Sequence, residues 1–120
     1  MTGEVLSPVL IEAMIRDISQ RIAKGVPITS KRYGEFLAAD REYDRAFAHA
    51  YLTSEGSIKD REMQARLDTL EEREKRDLAE VAYKHADRLA KALEGELRAT
   101  QSLGASVRMM YSVAGRGEPA

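Results

Sequence analysis

Apolar residues recur along this chain at helical spacing, and no segment alternates as a strand would. Ile11, Ile15, Ile18 and Ile22 follow one another at steps of four, three and four residues, which is one helical face. Leu10 and Met14 widen it. Ser7 before Pro8 marks the start: the serine hydroxyl can accept a first-turn amide, and proline lacks an N–H where a helix has no acceptor for one. Gly25 and Pro27 predict a stop after Lys24.

A second helix is predicted from Thr29 or Ser30 to about Leu52. Tyr33, Phe36, Leu37, Tyr43, Phe47, Ala50 and Tyr51 line one face of it, and Asp40 stands on that face where an apolar residue is expected. Residues 53–57 read as a turn, with Ser57 capping the next helix and Asp60 three residues on.

Between Gly56 and Gly104 there is no proline, and Gly95 is the sole internal glycine. This predicts one long helix, or two joined end to end. Residues 59–77 are polar, with Glu62–Arg66, Glu71–Lys75 and Glu72–Arg76 four apart in the favourable order. From Leu78 an apolar stripe follows through Ala82, Ala86, Leu89, Leu93, Leu97, Thr100, Gly104, Val107 and Tyr111. Ala82, Ala86 and Gly104 permit close helix–helix approach. The stripe is longer than the first helix can cover, so Leu89, Leu93 and Leu97 are expected to join subunits of a homo-oligomer. Residues 1–112 are expected to form a single helical domain, and 113–120, with Gly115, Gly117 and Pro119, a flexible tail.

Composition sharpens this picture. Hydrophobic residues are 43% and aromatics only 6%, which predicts a thin, alanine-rich core of the kind a partner subunit completes. A net charge of −1 excludes binding by bulk charge, so any nucleic-acid contact needs a local basic patch. The chain has no cysteine, which excludes disulfides and thiolate chemistry and fits a reducing cytoplasm. No apolar run approaches a membrane span, and the first residues lack the pattern of a signal peptide.

Catalysis has little to work with. His49 and His85 lie on different predicted helices, no Glu-x-x-His occurs, and no glycine-rich phosphate loop is present. The chain is therefore expected not to be an enzyme and to hold no metal or cofactor. Basic residues are the stronger candidates. Lys31, Arg32 and Tyr33 open the second helix, Arg41, Tyr43 and Arg45 follow, and Lys59, Arg61, Arg66, Arg73, Lys75 and Arg76 come later. Basic side chains beside tyrosines can track a phosphate backbone while rings stack on bases. The competing reading is a solvated face laced with ion pairs, since acidic residues interleave almost one for one over 59–77.

The order of segments carries a resemblance. A helix with aromatic spacing precedes Ser57-Ile58-Lys59-Asp60-Arg61-Glu62-Met63, then Ala65-Arg66-Leu67-Asp68, a charged stretch, and an Ala/Leu helix ending in Gln101-Ser102-Leu103-Gly104. Over roughly residues 43–111 this resembles the phage recombination mediator family typified by UvsY of T-even bacteriophages. The resemblance implies a non-enzymatic, oligomeric protein of the host-cell cytoplasm. Such a protein would bind single-stranded DNA and help load a RecA-like recombinase onto strands coated by single-strand-binding protein. It places the family's basic strand-binding element on Gln64-Ala65-Arg66, where Gln64 stands for the family's lysine. Lys59 and Arg61 would compensate from the preceding turns. It also implies a short terminal helix over 105–113, with Val107, Met110 and Tyr111 in oligomerisation. The fold expected is all-α: an extended helical hairpin or bundle of three main helices and a short terminal one. The alternative function is a helical scaffold or adaptor, for virion assembly or chaperone-like work, with no nucleic-acid role.

Overall fold

A computed structural model of the chain describes residues 6–117. Within them the fold is all-α, with three helices and no strand: α1 over Pro8–Thr53, α2 over Ile58–Asp68 and α3 over Leu70–Gly117.

The starts of α1 and α2 are local events and fall where the sequence puts them, whereas the start expected at Thr29 or Ser30 lies inside α1. The Leu10 amide donates to the Ser7 hydroxyl at 3.2 Å. Ser57 heads α2 in a reciprocal capping box, accepting from the Asp60 amide at 3.1 Å while its own amide donates to the Asp60 carboxylate at 3.2 Å. Gly56 takes a φ of 108° in the turn between α1 and α2, a conformation that a side chain would strain.

The expected stop after Lys24 does not occur. α1 runs on through Gly25 and Pro27 as one helix of 46 residues. A glycine costs about 1 kcal/mol and an interior proline about 3 kcal/mol in a helix. Here the helix is held on both sides of the break: Ile11 and Ile18 are buried before it, and Ala50 is buried after it. Pro27 itself is exposed, as is Ala23, whose carbonyl loses the Pro27 amide. Water can therefore serve that carbonyl, so it is not left unsatisfied.

The long second half is two helices joined end to end, one of the two forms expected, and they meet at Thr69. Thr69 adopts φ −117° and ψ 18°, is 2% exposed, and turns its hydroxyl back onto the Ala65 carbonyl at 2.6 Å. Side-chain bonding of this kind competes with the helix ladder. α3 then continues unbroken past Gly104, so the separate terminal helix over 105–113 is absent. The part of the expected tail up to Gly117 is helical, and its remainder lies outside the described residues.

The chain divides into two compact units. One joins the described residues of Met1–Val26 to those of Leu89–Ala120; the other is Pro27–Arg88. On α1 the boundary falls at Pro27. In the first unit the ends of α1 and α3 run antiparallel. Ile11 lies against Gly104, Arg21 pairs with Glu96 at 3.3 Å, and the Tyr111 hydroxyl donates to the Leu6 carbonyl at 3.4 Å. Its core is Ile11, Ile18, Thr100 and Val107. The second unit packs the later part of α1 antiparallel to the start of α3, through Tyr33 and Tyr83 (ring centroids 4.8 Å apart) and Asp40 and Arg76. Its fully buried residues are small: Ala50, Ala65 and Thr69. Of the described residues, few are fully buried in either unit, and alanines are among them only in the second.

Candidate nucleic-acid interface

Every basic residue singled out from the sequence lies in the Pro27–Arg88 unit. The structure sorts them by what they touch.

Arg76 is committed to its own fold. Its Nε donates to Asp40 at 2.6 Å, its other nitrogens reach Asp77 at 3.4 Å and Glu80 at 3.9 Å, and the guanidinium lies 5.6 Å from the Phe36 ring centroid. The hydrogen bond it donates to Asp40 raises its pKa above the ordinary arginine value, with the nearby carboxylates adding to the effect. This explains Asp40 on an otherwise aromatic face: it is there for Arg76. Phe36 also stacks with Tyr83, ring centroids 6.3 Å apart and 8° from parallel. Arg76 is thus a packing residue and not a free cation.

Arg61 also turns inward. It shares the i, i+4 row of α2 with Ala65 and Thr69, which are 0% and 2% exposed. It is half-buried, and its Nε is fully buried without a hydrogen-bond partner. A strand passing over the surface cannot engage that nitrogen. Arg32 spends its charge on Glu35 at 3.4 Å. On the same helix Arg45 clasps Glu42 at 2.6 Å, and this bond lowers the Glu42 pKa below the usual carboxylate value. Lys75 pairs with Glu71 at 3.3 Å. These are the intrahelical ion pairs of the solvated-face reading.

Lys59, Arg66 and Arg73 differ from all of these. They recur every seven residues, all are exposed, and none has an ion-pair partner among the described residues. Lys59 and Arg66 share one face of α2, since two helical turns return a side chain to nearly the same direction. Arg73 continues the interval in the first turns of α3. Lys31 is likewise exposed and, among the described residues, unpaired. Near it on α1, Tyr33 is 45% exposed, so one aromatic beside the basic residues keeps part of its ring open. Tyr43 is half-buried against Phe47, with ring centroids 6.1 Å apart, and belongs to the packing.

The residues expected in oligomerisation all lie in the other unit and divide too. Val107 is 0% exposed inside its own protomer, so it offers no surface. Leu93 and Leu97 are half-buried. Leu89 at 54%, Met110 at 61% and Tyr111 at 49% stay open, and Met109 adjoins them at 69%.

Both histidines are exposed, and among the described residues no three acidic or histidine side chains converge to hold a metal ion. No helix among them is long and apolar enough to cross a membrane. No protein-family model, curated protein or solved structure matches the chain.

Proposed function

We propose that the chain binds the backbone of single-stranded nucleic acid through Lys59, Arg66 and Arg73, and acts as a recombination mediator on single-stranded DNA. The observation that carries this reading is the contrast just described. Arg32, Arg45, Lys75, Arg76 and Lys84 are tied to acids and Arg61 is turned inward, while these three are exposed, uncommitted and set at one seven-residue interval. Seven residues of helix rise about 10.5 Å, which spaces Lys59 and Arg66 along α2, with Arg73 beyond the break at Thr69, an arrangement suited to a chain of phosphates more than to a single anion. The mediator role itself rests on the resemblance of residues 43–111. With it come a RecA-like recombinase and single-strand-binding protein as partners. Each protomer neutralises few phosphates, so useful affinity comes from several copies engaging one strand.

A second reading, the adaptor without a nucleic-acid role, is favoured by the apolar side chains left open on both units, such as Val81 at 66% and Met109 at 69% exposed. Fluorescence anisotropy of a labelled single-stranded oligonucleotide, titrated at low and moderate salt with duplex as control, separates the two. Single-strand preference that weakens with salt supports the mediator. Folded protein that ignores the strand at low salt selects the adaptor.

A further inference from the structure

In the Pro27–Arg88 unit α3 has two faces. One carries Arg76, Ala79, Glu80, Tyr83 and Ala86, all half-buried, and meets α1 at Asp40, Tyr33 and Phe36. The other is the row Glu74, Leu78, Val81, His85 and Arg88, at steps of four, three, four and three. That is the seam spacing of helices that pack side by side. Every residue of the row is exposed, Leu78 at 63% and Val81 at 66%.

Charge is ordered within the row itself: Glu74 stands before Val81 and Arg88 after it, each seven residues away. Lys84 is held by Glu80 at 3.1 Å, and Glu71 by Lys75 at 3.3 Å. Glu74 and Arg88, at the two ends of the seam, have no partner among the described residues. Nor does helical spacing offer one. Glu74 has Glu71 and Asp77 at three residues and leucines at four, while Arg88 has His85, Lys91, Lys84 and Ala92.

We propose that a second copy of this chain packs its α3 antiparallel along this row, about a two-fold axis at Val81. Val81 then meets the partner's Val81, Leu78 meets the partner's His85, and Glu74 meets the partner's Arg88. A two-fold interface must be complementary to itself when reversed, and this row is. The parallel arrangement would set Glu74 against Glu74 and Arg88 against Arg88, which like-charge repulsion disfavours. The seam spans about 21 Å, so the pair is a concentration-dependent one and not an obligate dimer. The pairing does not rest on nucleic-acid binding, and it uses a stretch of α3 distinct from Met110 and Tyr111.

The chain has no cysteine, so single-cysteine variants of the full chain report the geometry directly. Under mild oxidation Val81→Cys should form a covalent dimer. Leu78→Cys and His85→Cys should each stay monomeric alone and cross-link when mixed. In sedimentation equilibrium Glu74→Arg should lower the association constant roughly tenfold, and adding Arg88→Glu should restore it. These positions are exposed, and circular dichroism checks that each variant remains helical. Self-cross-linking of Leu78→Cys and His85→Cys as efficient as that of Val81→Cys would mean parallel pairing and overturn the proposal. So would a helical Val81→Cys protein that does not cross-link, or a Glu74→Arg variant that associates as before.

Discussion

Gly104 of α3 lies so close to Ile11 of α1 that a Cβ built on it would come within 2.8 Å of the Ile11 Cγ2. Ile11 is 1% exposed and has little room to retreat. Gly104→Ala therefore sets two effects against each other. Helix propensity gains about 1 kcal/mol, while overpacking costs about 1–3 kcal/mol. The steric term is expected to win, giving a net loss of stability of up to about 2 kcal/mol. Gly95→Ala is the internal control. Its nearest neighbour is the far end of Arg98 at 4.0 Å, so the propensity gain stands alone and stability should rise by about 0.5–1 kcal/mol. Urea denaturation of both variants measures the pair. Equal effects of the same sign would show that the close approach is absent in solution.

Asp40 and Arg76 are expected to be energetically coupled. Asp40→Ala strands a half-buried guanidinium against Phe36, and Arg76→Ala strands the carboxylate. Each single change should lower the melting temperature. The double variant should lose less than the two losses added, because neither charge is then left alone. Strict additivity in a thermal-melt double-mutant cycle would remove the ion pair from the account of this unit.

Arg61 should be dispensable both for stability and for strand binding. Arg61→Met keeps the buried stem and removes a buried nitrogen that lacks a hydrogen-bond partner. Stability is expected to be unchanged or to rise by up to about 1 kcal/mol, with nucleic-acid affinity unaltered. A marked loss of affinity with stability intact would return Arg61 to the interface.

The row Lys59, Arg66 and Arg73 should carry the salt dependence. Changing all three to glutamine is expected to flatten the slope of log affinity against log salt by about 2 for a single strand. Because all three are exposed, the melting temperature should hardly move. The contrasting variant is Lys75→Gln, which removes a cation already paired with Glu71 and should change the slope little. Anisotropy titrations at several salt concentrations measure both; equal slopes for the two variants would dissolve the distinction between free and paired cations.

The Ser57 cap is the simplest local test. Ser57→Ala removes the acceptor of the Asp60 amide and should cost about 1 kcal/mol. Ser57→Gly should cost only a few tenths of that amount. A silent Ser57→Ala in thermal denaturation would mean that α2 frays at its start.

How much of this was legible beforehand follows the range of the forces involved. The caps at Ser7 and at Ser57 with Asp60 involve groups within four residues of each other, and the sequence determined them outright. It also determined the all-α class, because the helical spacing of Ile11, Ile15, Ile18 and Ile22 admits no other reading. Asp40 announced itself as an anomaly on an aromatic face, but its partner lies 36 residues away. No local pattern could show that Arg76 is occupied there while Arg73, one turn earlier, is free. The course of α1 through Pro27 was likewise a tertiary decision. Proline sets a cost of about 3 kcal/mol, and only packing on both sides of it determines whether the helix bears that cost. The break at Thr69, the unbroken path of α3 past Gly104 and the division into two units belong to the same class. The sequence determined which residues favour a helix and where each helix is capped. Tertiary structure decided which helices continue and which charges remain free, because both depend on neighbours brought together from distant parts of the chain.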